Sequence, residues 1–267
     1  MAIPQTEKEN LPQDGFTVCW MRFVLALTFL TRIPIPIKGK VTPEDMRASM
    51  GWYPLIGLGM GAVGYYLWLW GNIIFPPLLS AAMVIVLLEM FTGALHLDGF
   101  MDTCDGIGSG APRERALEIM KDSRVGAMGA FGAVALILLK VAALAAMTPQ
   151  QAFIPFVFGW MAARIVPVIN VALFAYARPT GTGGAFTEGK SYGMLIWSII
   201  TMLIAGFLYH PYTTFPFMLA IIAITLIVQS GIAKKLGGLT GDVYGMGIEL
   251  TELLALIAGC VLVKLML

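Results

Sequence analysis

Asp98, Asp102, Asp105 and Asp122 fall within one short segment, His96–Arg124, of a chain that is otherwise apolar. Unpaired charges are costly to desolvate near a bilayer, so grouped carboxylates at its edge imply a use. The first three are spaced i, i+4, i+7, which puts them on one face if the segment is helical. Three like charges on a face repel, and a divalent cation relieves the repulsion. Magnesium suits them best, because it takes oxygen ligands and commonly bridges a few carboxylates to substrate phosphates. Cobalt, copper or zinc want nitrogen or sulfur, and His96 and Cys104 alone are a thin supply. Gly99 and Gly106 can break a helix, so the shared face is conditional. A solvated acidic loop at a helix end is the other reading of the same spacing. Asp122 reads as a further metal ligand and Arg124 as a phosphate clamp, against an ordinary solvated helix end. The working hypothesis is a metal-binding, phosphate-handling site at a bilayer surface.

A second constellation is GGLTGDVYGMGIELTEL, 237–253. Its glycines allow backbone N–H groups to approach a phosphate, while Thr240 and Asp242 add a hydroxyl and a carboxylate. The loop lacks the GK[ST] of a nucleotide-binding P-loop. Glu249 and Glu252 follow at i, i+3 on one face of the last apolar segment, and acids within a membrane helix normally face the bundle interior and mark function. Glu89, Lys140 and Arg164 also lie inside apolar runs and need partners: internal ion pairs or substrate contacts. His96 abuts Asp98 and reads as a base or a ligand, or as a simple hydrogen-bonded histidine; His210 reads as structural.

These residues must be positioned by a membrane bundle. Of 267 residues, 58% are hydrophobic and 12% charged, against roughly 25% charged in soluble domains; the mean hydropathy is +0.82. A net charge of +1 excludes a nucleic-acid partner, which needs a basic field. Cys19, Cys104 and Cys260 lie far apart and form no disulfide framework or zinc site. Residues 1–15 read as a polar, loose tail without the basic and apolar pattern of a cleavable signal. Residues 16–31 are too short, and interrupted by Arg22, for a span of about 20 residues, so an interfacial or half-buried helix is expected. The prolines of Thr31-Arg32-Ile33-Pro34-Ile35-Pro36 end it.

Apolar runs near 49–74, 78–97, 126–147, 152–176, 192–209, 214–235 and 247–266 predict an all-α polytopic bundle of about seven transmembrane helices in a single domain over 1–267. Kinks are expected at Pro54, Pro155 and Pro167, and Gly57, Gly59, Gly61 and Gly64 supply a close-packing stripe. Pro112 suits the start of a short amphipathic helix, RERALEIMKDS, with Leu117 and Met120 facing lipid or core and Arg113, Glu114, Lys121 and Asp122 facing water. The loops near 75–77, 148–151 and 210–213 contain no Lys or Arg. The others hold Arg32, Lys38, Lys40, Arg47, Arg113, Arg115, Lys121, Arg124, Arg178, Lys190, Lys234 and Lys235. If every run crosses, the positive-inside rule makes the second set cytoplasmic and the C-terminus external, with Lys264 the exception. The aspartates, TGTGG at 180–184 and GGLTGD at 237–242 share that cytoplasmic face.

The combination of LTRIPIP (30–36), HLDGFMDTCDG (96–106), EIMKDSRVGAMG (118–129) and GGLTGDVYGMGIELTEL (237–253) closely resembles the cobalamin synthase family, the cobalamin-5′-phosphate synthases or adenosylcobinamide-GDP ribazoletransferases. The match runs through nearly the whole chain in order and spacing; ARPTGTGGAFTEGK at 177–190 matches more loosely. The resemblance implies an integral, magnesium-dependent enzyme of the cell (inner) membrane that joins adenosylcobinamide-GDP to α-ribazole or its 5′-phosphate and releases GMP. It implies Mg²⁺ held by Asp98, Asp102, Asp105 and Asp122, with Arg124 on the leaving group. Asp242 with Thr240 and Gly241 would bind the other end of the substrate pair, and Glu249 or His96 would be the base. Arg32, Lys121 and Glu252 are further substrate-binding candidates, and a homo-oligomer is compatible. A CDP-alcohol phosphotransferase shares Asp102-x-x-Asp105-Gly but needs Ala-Arg where Gly108-Ser109 stands. A transporter would hold its charges at the midplane between repeats, and no internal repeat occurs.

Overall fold

In a computed structural model, the described residues are 15–37, 41–178 and 192–266, with side chains described as far as residue 261. The N-terminal tail to residue 14, Lys38, Lys40, the 180–184 loop, Lys190 and the side chain of Lys264 lie outside them. The chain is helical: α1 (Gly15–Leu30), α2 (Pro43–Ser49), a 3₁₀ turn (Met50–Trp52), α3 (Tyr53–Ile74), α4 (Pro77–Thr92), α5 (Leu95–Gly108), α6 (Arg113–Ile119), α7 (Ala127–Ala145), α8 (Pro149–Leu173), α9 (Gly193–Tyr209), α10 (Pro211–Leu236) and α11 (Gly241–Met266). An isolated parallel bridge between Tyr176 and Leu239 is the extended pairing among the described residues. The seven apolar runs are helical, the 78–97 run being divided between α4 and the start of α5. By length and apolarity α7, α8, α10 and α11 can cross a membrane, and α4 with α5 makes a fifth candidate if the bent pair is one broken span. The 17 residues of α9 extend only about 26 Å.

The axis of the bundle is α8, with 83% of its most apolar window buried. It runs through both Pro155 and Pro167. α3 lies against it through the small-residue stripe: a methyl group on Gly57 or Gly61 would collide with the carbonyls of Trp160 and Phe156, and one on Gly64 would touch the Phe156 ring. Gly59 faces open space, so three of the four glycines serve the contact. On another side α11 packs on α8, where Gly159 leaves room for Ala255.

The interior charges pair with one another. Lys140 of α7 is fully buried, and its Nζ lies 3.1 Å from Glu89 of α4, 2.5 Å from Glu249 and 2.7 Å from Glu252 of α11. Arg164 of α8 completes the cluster on Glu252. Of the two readings open in the sequence, ion pairing inside the bundle is the one this geometry supports.

The expected 78–97 span is interrupted. α4 stops at Thr92, capped by Gly93 at φ 66° and Ala94 at φ 54°, and α5 leaves at 92° to it. A left-handed glycine ends helices readily; the alanine beside it costs roughly 1–3 kcal/mol. Three contacts hold the corner: Ala94 N–H donates to Glu89 O, Arg32 N–H donates to Phe91 O, and the Arg32 guanidinium lies over Gly93. His96 therefore opens α5 instead of closing α4.

Removing Lys140 would leave the buried Glu249 and the half-buried Glu89 without their cation, with Glu252 still held by Arg164. Lys140→Met is expected to cost about 3–5 kcal/mol, the range for breaking a buried pair, read as a lowered melting temperature in detergent.

Candidate active site

α5 carries the carboxylates, and its helix continues through Gly99 and Gly106. The condition on the shared face is met. Both glycines are there for contact: a Cβ on Gly99 would lie 2.7 Å from Asp242 O, and one on Gly106 would strike Met120. Gly245 of α11 reciprocates: a Cβ there would lie 3.2 Å from the backbone of His96. Two helices crossing this closely bring Asp98 and Asp242 together from sequence positions 144 apart.

A 290 Å³ cavity is lined by Asp98, Asp102, Asp105, Lys121, Asp122 and Arg124, among others. All four aspartates proposed as metal ligands therefore meet at one place, with Lys121 and Arg124 beside them. Asp102 is repelled by Asp98, Asp242 and Asp105 and attracted by Arg178. The four are not equally available. Asp105 accepts the Gly126 N–H at 2.8 Å and the Gly129 N–H at 2.7 Å, tying α5 to the first turn of α7. Asp122 is engaged by Arg124, whose Nη2 donates to Asp122 Oδ2 at 2.6 Å and whose backbone N–H donates to Oδ1 at 3.0 Å. Those bonds hold the Asp122 carboxyl down at about 2, so it is ionised at any physiological pH. Arg124 itself is exposed and can swing to an incoming anion. Among the described residues, the three carboxylates that bring oxygens within 4.8 Å of one another are Glu89, Glu249 and Glu252, and Lys140 already fills their centre. The aspartate cavity offers an oxygen-only donor set on an open face, which fits magnesium and not a thiolate or imidazole metal.

The 237–242 loop differs from the phosphate nest expected of it. Gly238 N–H donates to Ala233 O and Leu239 N–H to Ala175 O, so these amides terminate α10 and clip the 175–177 segment. Thr240 is fully buried, and its Oγ1 bonds Asp242 Oδ2 at 3.2 Å. What the loop presents is Asp242, at 2.8 Å from Arg178 Nη2. Gly241 and Asp242 line a second cavity, of 210 Å³, together with His96 and Asp98. Asp98 belongs to both cavities and joins them.

The other proposed residues fall elsewhere. Glu249 and Glu252 are locked in the Lys140–Arg164 cluster and line none of the cavities described here. Arg32 sits on the α4–α5 corner. After α6, Met120 is buried as expected, and Arg113 is exposed as expected while its guanidinium also donates to Leu236 O and Ala177 O. Arg113, Lys235 (to Ile107 O) and Arg178 (to Met120 O) thus draw the loops after α5, α8 and α10 to one end of the bundle. In the sequence, Arg178 carries no more weight than any basic loop residue; Tyr244, two positions after Asp242 in a recognised motif, was findable.

A helical membrane bundle with oxygen ligands, a lysine and an arginine around one surface cavity defines a protein built to hold phosphate groups. The match to known proteins is more specific. Residues 22–260 match the family model described as cobalamin-5-phosphate synthase, and the chain belongs to that family. It is 40% identical over 243 residues to the adenosylcobinamide-GDP ribazoletransferase of Desulfitobacterium hafniense, covering 87% of this chain and 94% of that protein. It is 36% identical to the enzyme of the same name from Brevibacillus brevis, covering 88% and 96%. No solved structure matches the chain. The family assignment displaces the lipid phosphotransferase and transporter readings.

The unequal bonding of the aspartates separates their roles. Asp105→Asn is expected to destabilise the protein by about 1–3 kcal/mol, since it leaves an amide N–H without its acceptor. Asp102→Asn should leave stability within about 0.5 kcal/mol while abolishing activity; thermal melts and turnover of both variants check this.

Proposed function

We propose that this chain is an adenosylcobinamide-GDP ribazoletransferase. A hydroxyl oxygen of α-ribazole, or of its 5′-phosphate, bonds to the cobinamide-linked phosphorus. The bond from that phosphorus to the bridging oxygen breaks, GMP leaves with that oxygen, and the hydroxyl proton passes to a base. The observation that carries this reading is the meeting of the α5 aspartates with Lys121, Asp122 and Arg124 around one cavity in a chain of this family. Transfer from a diphosphate needs positioning and charge neutralisation more than covalent help. Asp98, Asp102, Asp105 and Asp122 would hold magnesium, which when bound neutralises and orients the diphosphate. Arg124 exchanges its partner Asp122 for the departing GMP phosphate, and Lys121 adds charge beside it. Of the two candidate bases, His96 stands on a cavity wall next to Asp98, whereas Glu249 is bound to Lys140. His96 is therefore the better placed to take the proton.

The site faces the cytoplasm of the cell (inner) membrane on this reading, because the basic loops gather at its end of the bundle. GMP release by the full chain in detergent, with α-ribazole, adenosylcobinamide-GDP and Mg²⁺, is the test. Release is expected to stop when a chelator removes the metal and to return with added Mg²⁺. No release with every component present would overturn the assignment.

A further inference from the structure

The 210 Å³ cavity has a wall that neither packing nor phosphate handling accounts for. Leu30, Met50, Pro167 and Ile248 make most of it apolar. Into the same cavity surface come Tyr53, His96 and Tyr244, which are 2%, 4% and 7% exposed. The Tyr53 hydroxyl, His96 Nε2 and the Tyr244 hydroxyl are all without a hydrogen-bond partner. A buried polar atom left unpaired costs roughly 1–3 kcal/mol, and all three sit on side chains that line this one largely apolar cavity, a composition suited to a ligand with a few polar points.

We propose that this cavity receives the aromatic base of the ribazole acceptor. The inference rests on the transferase reading and adds which substrate, and which part of it, each cavity holds. Size is the first argument. A cavity of about 150 Å³ takes a benzene ring, and pockets for whole drug-sized ligands start near 300 Å³. At 210 Å³ the space suits one fused bicyclic ring and excludes a corrinoid or a whole nucleotide. Polarity is the second. A base joined to its sugar through one ring nitrogen keeps a single acceptor nitrogen on an otherwise apolar rim. A tyrosine hydroxyl can donate to that nitrogen, and the aliphatic wall takes the rest. The parallel rings of Phe29 and Tyr53, with centroids 6.1 Å apart and planes 10° apart, supply a flat aromatic edge. Guanine would instead demand acceptors for its paired N–H groups; of the two carboxylates on this cavity, Asp242 is already engaged by Arg178 and Thr240, and Asp98 serves the metal on the transferase reading.

Position is the third argument. Asp98 borders both the base cavity and the phosphate cavity. A base seated beside Tyr53 and Tyr244 projects its sugar past Asp98 and His96 toward the diphosphate. One side chain thus stands between the acceptor's two ends, where the attacking hydroxyl has to be.

The variants Tyr53→Phe and Tyr244→Phe test this in the full chain in detergent, since each removes one oxygen that has no protein partner. Equilibrium dialysis with labelled α-ribazole, without adenosylcobinamide-GDP, reads the cavity apart from turnover. Each variant is expected to weaken α-ribazole retention and raise its KM about ten-fold, the loss of one hydrogen bond, with the KM for adenosylcobinamide-GDP unchanged. Unchanged α-ribazole retention, or a shift confined to adenosylcobinamide-GDP, overturns the proposal. So does a variant that melts well below the wild type, because the hydroxyl would then serve the fold. Wild-type protein that retains α-ribazole but releases no GMP would sink the transferase reading and leave the cavity assignment standing.

Discussion

Everything at the site depends on a contact that lines neither cavity, the burial of Lys140 among Glu89, Glu249 and Glu252 with Arg164 alongside. Taking one charge into a low-dielectric interior costs several kcal/mol, and the cost is met only when opposite charges arrive in good geometry. The five groups come from α4, α7, α8 and α11, so the helices can settle only in the arrangement that closes the cluster. That arrangement fixes the azimuth of α11, whose first turn carries Asp242, and the end of α4, from which α5 departs. The acids of the network are taken up by Lys140 and Arg164 and line neither cavity.

The second constraint is the corner at Gly93–Ala94. An apolar run long enough to continue as one helix is turned through 92°, so α5 lies across the end of the bundle against α11. Gly99 and Gly245 let the two backbones approach where any side chain would hold them apart. From that crossing follow both cavities and their shared wall at Asp98. The Asp105 bonds to the Gly126 and Gly129 amides then bring the 121–126 turn, with Lys121, Asp122 and Arg124, to the open side of the same helix.

Much of this was legible beforehand. The i, i+4, i+7 spacing of Asp98, Asp102 and Asp105 placed three carboxylates on one face, and the apolar runs placed them at the end of a helical bundle. The separation of basic from non-basic loops grouped the polar motifs at one end, which Arg113, Lys235 and Arg178 bear out with their cross-loop bonds. Glu249 and Glu252 pair with Lys140 and Arg164, which was not legible, because an acid on an interior helix face looks the same in sequence whether it meets a substrate or a lysine. The glycines of 237–241 were misjudged for a similar reason: a flexible backbone that can cradle phosphate can equally cap one helix and start the next.

By itself, the sequence determined the class of element, the membrane setting, the family and the list of chemical groups, since these follow from hydrophobic period, composition and local motif. Only the tertiary structure decided which groups work together. Asp105 became an anchor for α7, Arg113 a clasp and Arg178 the partner of Asp242. Tyr53, His96 and Tyr244 acquired a common cavity although they stand on three different helices, α3, α5 and α11. The physical reason is that pairing and desolvation are properties of neighbours in space. In a chain whose neighbours are set by buried charges and glycine crossings, sequence distance carries almost no record of them.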